Sequence, residues 1–356
     1  MQTAHFVGPD PEAFVADAGA GLVLTSPQQL GTIPQQKIVF RKDIDTFRKS
    51  HVTIIGLGGS GHEPMFSGYV GSNFLSASIA GKVFASPTSS QMFEAIKLCA
   101  SDKGTLLVFG NYTGDTLNAG LAITRAHAHG YKVEFMAIGD DAAVPRTKGR
   151  KVGRRGLAGH LVPLKLVCAL AEQGADFEII RNVANDVCGN IATAGVSFDK
   201  CSLPGSIIAD VPLLPEGSLE MGVGIHGEPG VQKMQPIPSP RSLVESILQL
   251  ILDTSDKERS FIDIRSGDRV CMFVNSLQGV GNRDLIHFAS LAVQVLKSKG
   301  INVERLLWGP LVTSLDMSGI GITIYRLPRN ENLSESVLTS QEALRLWDIP
   351  VDCSWT

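Results

Sequence analysis

The chain has 356 residues, 44% of them hydrophobic and 19% charged, with a formal net charge of −3. That length and apolar content provide for more than one core and point to two domains. The charge balance gives no positive field for nucleic acid or for an anionic membrane, which argues against both as partners. No apolar run reaches the roughly 18 residues of a membrane span. No basic segment followed by an apolar run marks a signal peptide. The six cysteines form no C-x-x-C pair, so a reduced, cytoplasmic chain is expected over a disulfide framework.

Taken in chain order, residues 51–55 form a short β-rich run ending in glycines. Residues 91–100 have helical spacing, with Met92, Ile96 and Cys99 on one side. Residues 105–109 are a continuous apolar run of the kind buried strands show. A helix over 117–130 closes at Gly130, a strand follows over 133–138, and helices over 161–173 and 177–188 are separated by Gly174. Helices are expected again over 241–253 and 289–300, and strands over 269–274, 303–308 and 321–327. The prolines between 204 and 240 forbid long helices there, so the domain boundary falls near 185–205, giving domains 1–190 and 191–356. Residues 1–20 and 329–340 are polar or irregular and are expected to be loosely held. Strand–helix alternation on both sides predicts the α/β class, with mixed sheets in two domains.

Two glycine-rich segments carry histidines. In Ile54-Ile55-Gly56-Leu57-Gly58-Gly59-Ser60-Gly61-His62-Glu63-Pro64, the glycines match G-x-G-x-x-G formally. The context opposes a dinucleotide site: Pro64, Gly68 and Gly71 interrupt the required helix, and Ala80-Gly81-Lys82 stands where the ribose-binding acid belongs. A turn, or a backbone cradle for a polar ligand reached by Ser60 and His62, is the better reading. The second segment is Gly222-Val223-Gly224-Ile225-His226-Gly227-Glu228-Pro229-Gly230. Its glycines leave the imidazole accessible, and a neutral imidazole is a nucleophile able to add to a ketone carbon and form a hemiaminal.

Asn111-Tyr112-Thr113-Gly114-Asp115 follows the apolar run 105–109, and ligand groups of open α/β sheets collect at such strand ends. Asp115 is there to act as a general base or to accept from a substrate hydroxyl; alternatively, Asp115 or Asn118 caps the following helix. Asp140 and Asp141 form a turn or, less favoured, a metal pair. The basic run Arg146, Lys148, Arg150, Lys151, Arg154 and Arg155 is either a solvated loop or a docking surface for an acidic or nucleotide-bearing partner. No P-loop and no H-E-x-x-H motif occurs.

These motifs together resemble the DhaK subunit of dihydroxyacetone kinases. The resemblance rests on Gly59-Ser60-Gly61-His62-Glu63-Pro64, Gly68-Tyr69-Val70-Gly71, Phe84-Ala85-Ser86-Pro87, 111–115, 153–157, 222–230 and Thr313-Ser314-Leu315-Asp316-Met317. They come in family order from about residue 20 to the C-terminus. The resemblance implies a DhaK-like fold of two α/β domains and a homodimer. It implies dihydroxyacetone or a similar small ketose bound covalently to His226, Asp115 on the hydroxyl that receives phosphate, and His62 in hydrogen bonding and proton transfer. Gly59, Ser60 and Gly61 map to the substrate turn, and Gly110 to the substrate-contacting position before 111–115. The resemblance also implies that this chain binds no cofactor of its own. Nucleotide and magnesium belong to a separate donor subunit, since the stretch after Leu327 is too short for that domain. Some family members act instead as ligand sensors or transcriptional coactivators and pair with a transcription regulator. Three departures stand out: Gly110 replaces the usual lysine, Leu57 replaces a glycine, and Asn275-Ser276-Leu277-Gln278 replaces Asn-Asn-Leu-Gly. Loss of the lysine removes a cation from the substrate.

Overall fold

Apolar runs bounded by glycine become buried strands, and amphipathic runs become the helices that cover them. The structure, a computed structural model, describes residues 11–149, 152–204, 214–329 and 337–354. It divides into two compact units. One carries His62 and contains the described residues up to Ile138, the segment Pro163–Asn185 and the described residues from Gln341. The other carries His226 and contains Gly139–Val162 and Asp186–Ser340. The units therefore interleave along the chain, and a single cut between 190 and 191 does not separate them.

The His62 unit begins with helix α1 (Pro11–Thr25), so the part of 1–20 that the structure describes is helical and not loose. It is built on strands β1 (Leu30–Ile33), β2 (Ile38–Arg41), β3 (Thr53–Ser60), β5 (Ala77–Val83), β6 (Thr105–Gly110) and β7 (Val133–Ile138), in the order β1-β2-β5-β3-β6-β7. The pairs β5–β3, β3–β6 and β6–β7 are parallel, whereas β1 and β2 join antiparallel. Short helix α2 (Ile44–Phe47) precedes β3, and α3 (Ser89–Cys99) and α4 (Thr113–Ala128) make the crossovers. Thr88 starts α3 through a capping box with Gln91, two residues ahead of where hydrophobic spacing alone puts it. Ile38, Leu57, Met92, Phe93, Ile96, Leu107, Phe109 and Ala122 form its core. Each large side chain buried there contributes roughly 1.5–3 kcal/mol.

Later segments are fastened to this unit by named contacts. Arg41, 5% exposed, forks between Asp43 (2.6 and 2.9 Å) and Glu172 (2.7 and 3.1 Å). Glu172 ends α6 (Leu161–Glu172), which is followed by α7 (Phe177–Cys188). The two-residue strand β14 (Asp352–Cys353), after α10 (Ser340–Asp348), pairs antiparallel with β4 (Gly71–Ser72).

The His226 unit opens with the short helix α5 (Arg146–Gly149). Its sheet holds β8 (Ile191–Ser197), β9 (Leu219–Met221), β10 (Gln232–Met234), β11 (Arg269–Ser276), β12 (Asn302–Gly309) and β13 (Gly319–Arg326), in the order β10-β9-β8-β13-β11-β12. Only β11–β12 is parallel. Helices α8 (Pro240–Leu252) and α9 (Asn282–Ser298) pack on it through Leu243, Ile247, Leu285, Ala292 and Val295, against Val270, Val274 and Ile322. Ser239 caps α8 and Pro240 occupies its first turn, as helix starts favour. Both sheets are mixed, as expected. The strand-like 140–142 segment joins this unit by exchanging backbone bonds with Thr193 (both 2.8 Å), which is why the division of the chain precedes 190. No helix among the described residues is long and apolar enough to cross a membrane.

Candidate functional site

In the His62 unit the chain leaves β3 for β5 on one side and then crosses to β6 on the other. The parallel strand ends at this change of direction are where open α/β sheets collect ligand groups. His62 follows β3, Phe84 and Ser86 follow β5, and Asn111–Asp115 follow β6. The glycine-rich segment is not a turn over most of its length: 53–60 is strand. A side chain at Gly56 would lie 2.6 Å from the Phe66 ring, and one at Gly59 2.8 Å from the Ala85 nitrogen. These glycines therefore admit close neighbours. The turn comes only at Gly61, with φ +102°.

His62 is 1% exposed and stacks on Phe84, ring centroids 5.0 Å apart and 14° from parallel. Ser60 donates to the Gly81 carbonyl (2.9 Å), and the Gly61 N–H donates to the Glu63 carboxylate (3.0 and 3.2 Å). Gly110 ends β6 opposite Ile138, and its carbonyl accepts from the Tyr112 N–H (2.8 Å). Helix α4 begins with Tyr112 at the N-cap, which makes no side-chain cap bond. Asp115 sits in the first turn at 5% exposure, and the Asn118 amide donates to the Pro87 carbonyl (3.0 Å). Neither residue is the cap. Ser86 Oγ lies 2.6 Å from where a Gly114 Cβ would be. Segment 84–87 thus links His62 through Phe84 with the start of α4 through Ser86 and Pro87. The sequence motif included that segment without giving it this role.

In the His226 unit the second cluster is a tethered loop. The Gly222 N–H donates to the Gly195 carbonyl (2.7 Å), the Ser314 hydroxyl donates to the Ile225 carbonyl, and the Gly230 N–H donates to Glu220 (2.8 Å). The Glu228 carboxylate receives the His226 backbone N–H (2.9 Å) and contacts its Nδ1 (3.0 Å). Burial opposes ionisation of Glu228, but the hydrogen bonds and charge of His226 outweigh it and hold the carboxyl down at about 2. An ionised acceptor on Nδ1 places the ring proton there and the lone pair on Nε2, the nitrogen that can attack a carbonyl. The His226 side chain keeps 22% exposure. The role of Glu228 was not assigned from sequence; its signal is an acid two residues after the histidine with glycine between.

The acidic pair is fully buried, whereas in the basic run Arg146 and Lys148 are exposed and Arg154 and Arg155 are partly buried. Asp140 accepts from the Leu157 and Gly159 N–H groups (2.6 and 2.7 Å). Asp141 accepts from the Ala143 N–H (2.8 Å) and pairs with Arg155 (2.6 Å). These oxygens clamp 153–159 in place, which favours the turn over the metal pair. Burial pushes Asp141 up to about 6, against the opposing pull of Arg155. Arg154 stacks over Phe261 at 4.2 Å and Arg146 over the same ring at 4.5 Å. Neither arginine of 153–157 is a free docking cation; Arg150 and Lys151 lie outside the described residues.

Known proteins resemble this chain in sequence and fold. The Dak1 domain family matches residues 20–354. The dihydroxyacetone kinase of Pichia angusta is 38% identical over 322 residues, 87% of this chain and 52% of that protein. This chain spans about half the length of the curated relatives it matches. The crystal structure of the dihydroxyacetone kinase from C. freundii, in complex with AMP-PNP and Mg2+, superposes with a TM-score of 0.83 at 30% identity, covering 99% of this chain and 60% of that one. The dihydroxyacetone kinase operon co-activator DhaQ superposes with a TM-score of 0.80 at 28% identity, covering 94% of this chain and 96% of that one.

Proposed function

The chain belongs to the Dak1-domain family of dihydroxyacetone kinases, and on that premise we propose that it is the ketose-binding part of a dihydroxyacetone or short-ketose kinase. The observation that carries this reading is the Glu228 carboxylate on Nδ1 of His226. The Nε2 lone pair of His226 attacks the ketone carbon and the carbonyl π pair moves to oxygen, which takes a proton from water. The ring proton on Nδ1 passes by way of Glu228 to the hydroxide that this water leaves, so that water and the Glu228 carboxylate are restored and the hemiaminal is neutral. Glycerol has no carbonyl and is refused, whereas small ketoses and aldoses are accepted.

Phosphorylation then needs an activated hydroxyl and a donor. Asp115 takes the proton of the substrate's terminal hydroxyl, whose oxygen attacks phosphorus as the donor's bridging oxygen leaves. His62 hydrogen-bonds the substrate, and the backbone at Gly59, Ser60, Gly61 and Gly110 shapes its surroundings. Positioning and general-base help make up this chain's share of catalysis. Nucleotide and magnesium arrive on a separate donor subunit, which supplies the phosphoryl group and its charge neutralisation. A homodimer in the cytoplasm completes the reading.

Gly110 favours one second reading. Without the family's lysine, the chain keeps His226 to trap a ketose and reports it to a transcription regulator as a non-catalytic sensor; the likeness to a co-activator supports this. Mixing the chain with dihydroxyacetone and a nucleotide-loaded donor subunit separates the two. Phosphate ester formation is the outcome expected of the kinase part. Capture without ester, together with ketose-dependent retention of a regulator, overturns it in favour of the sensor.

A further inference from the structure

We infer that Arg155 is a positioning residue for the His226–Glu228 pair, acting through the backbone of Gly222–Gly224; this rests on the reading of His226 as the group that captures the ketose. The Arg155 guanidinium forks. Its Nε donates to Asp141 (2.6 Å), and its Nη2 donates to the Gly222 carbonyl (2.8 Å). Its Nη1 lies 2.9 Å from where a Gly224 Cβ would be, and Glu228 Oε2 lies 2.1 Å from the same point. Gly224 is thus gripped between the guanidinium and the carboxylate that holds the imidazole.

The base of this fork is rigid. Asp141 is fully buried, and its other oxygen is taken by the Ala143 N–H. The main chain of Arg155 is fixed as well, because its carbonyl accepts from the N–H groups of Asp140 and Asp141 (3.1 and 3.2 Å). Gly222, at φ +77°, would bring a Cβ to 2.7 Å from Ala143, so the loop starts hard against the same segment.

Two features separate positioning from general support. The loop has other tethers, Ser314 at Ile225 and Glu220 at Gly230, which keep it attached when Arg155 is changed. Apart from the Gly222 N–H on the Gly195 carbonyl, the loop's tethers lie at or beyond Ile225, so losing the fork frees the Gly222 carbonyl and the stretch 223–224, which sets where Glu228 stands against His226. The chemistry also calls for arginine in particular. A planar fork satisfies a carboxylate and a carbonyl together, whereas the single ammonium of lysine does not span both in fixed geometry.

The experiment uses the full chain with the substitutions Arg155→Gln and Arg155→Lys, and dihydroxyacetone as the probe. Three readouts are taken: thermal midpoint, apparent affinity of adduct formation by native mass spectrometry, and the 15N imidazole signals of His226. Arg155→Gln is expected to stay folded, to weaken capture by about tenfold to a hundredfold, and to move the His226 Nδ1 signal as Glu228 shifts. Arg155→Lys is expected to recover part of both. Capture equal to wild type with unmoved imidazole signals overturns the assignment. So does a loss of capture that tracks the unfolded fraction while the folded molecules keep the wild-type signal. Absence of an adduct in the wild-type chain contradicts the capture reading itself; the imidazole signal then still decides whether Arg155 sets the pair.

Discussion

In Gly61-His62-Glu63 the acid follows the histidine directly. Its carboxylate turns back to the Gly61 N–H, and the imidazole is stacked on Phe84 at 1% exposure. In His226-Gly227-Glu228 one glycine intervenes at φ +77°, a conformation that glycine adopts without strain. The chain folds back, and one carboxylate takes both the backbone N–H and Nδ1 of His226. Two segments that both carry histidine, glutamate and proline among glycines thus make different objects: a buried ring at the end of a strand, and a partly exposed ring polarised by an acid. Residue spacing teaches more here than residue identity.

The sharpest way to break the comparison is to remove each imidazole. His226→Ala is expected to abolish the dihydroxyacetone adduct in native mass spectra, whereas His62→Ala keeps it. Asp115→Asn is likewise expected to keep capture while turnover with a donor subunit falls by about 10²–10⁴-fold; normal turnover would remove Asp115 as the base.

The two acids give the next contrast. Glu228→Gln should slow capture by about tenfold to a hundredfold, because the amide no longer fixes the ring proton and orientation. Glu63→Gln should leave capture nearly unchanged, since that carboxylate serves the Gly61 N–H. Rapid-mixing measurements of adduct formation compare them, and equal effects would erase the distinction between the clusters.

Glycines sharpen it further. A methyl at Gly224 would sit 2.1 Å from Glu228 Oε2, so Gly224→Ala should reproduce the capture defect of Glu228→Gln. A methyl at Gly56 meets Phe66 at 2.6 Å and Leu75 at 2.7 Å, an overpacked core. Gly56→Ala should therefore cost about 1–3 kcal/mol in denaturant unfolding and leave the capture rate of folded molecules alone.

How far these features were legible in the sequence depends on whether they are local. The apolar run at 105–109 is a strand because a parallel strand buried on both faces needs nothing else, 133–138 is the partly exposed strand at the sheet edge beside it, and α7 spans the expected 177–188. Strand β8 escapes the same reading. Ile191-Ala192-Thr193-Ala194-Gly195-Val196-Ser197 is fully buried but made of small residues, with neither alternation nor bulk to mark it. Helix α1 escapes because glycine and alanine blur its pattern. The histidines, Asp115 and the glycines stand out in the sequence by their motifs, and the structure places His62 and Asp115 just after strands β3 and β6. Arg155 was not, since a basic run reads alike whether solvated or paired with a buried acid far back in the chain. The interleaved units were illegible for the same reason: Arg41–Glu172 and β4–β14 join residues distant in sequence.

The smallest expected effect concerns acid. The folded-state carboxyl of Glu228 is lowered from its ordinary value of 4.5 to about 2, so the unfolded chain binds its proton first as pH falls. Its contribution to stability is therefore complete above pH 4.5 and lost between there and about 2. Partial exposure limits this to roughly 1–2 kcal/mol. Unfolding titrations of wild type and Glu228→Gln should converge toward the acid end of that window; parallel curves would mean that the His226–Glu228 contact adds nothing to the fold.

The central claim is that His226, and not His62, captures the ketose. Native intact-protein mass after incubation with dihydroxyacetone, for wild type, His62→Ala and His226→Ala and with glycerol as the carbonyl-free control, tests it most directly. The account predicts a reversible adduct of one dihydroxyacetone per chain in wild type and His62→Ala, none in His226→Ala, and none with glycerol. An adduct that survives His226→Ala, or no adduct in the wild-type chain, would contradict it.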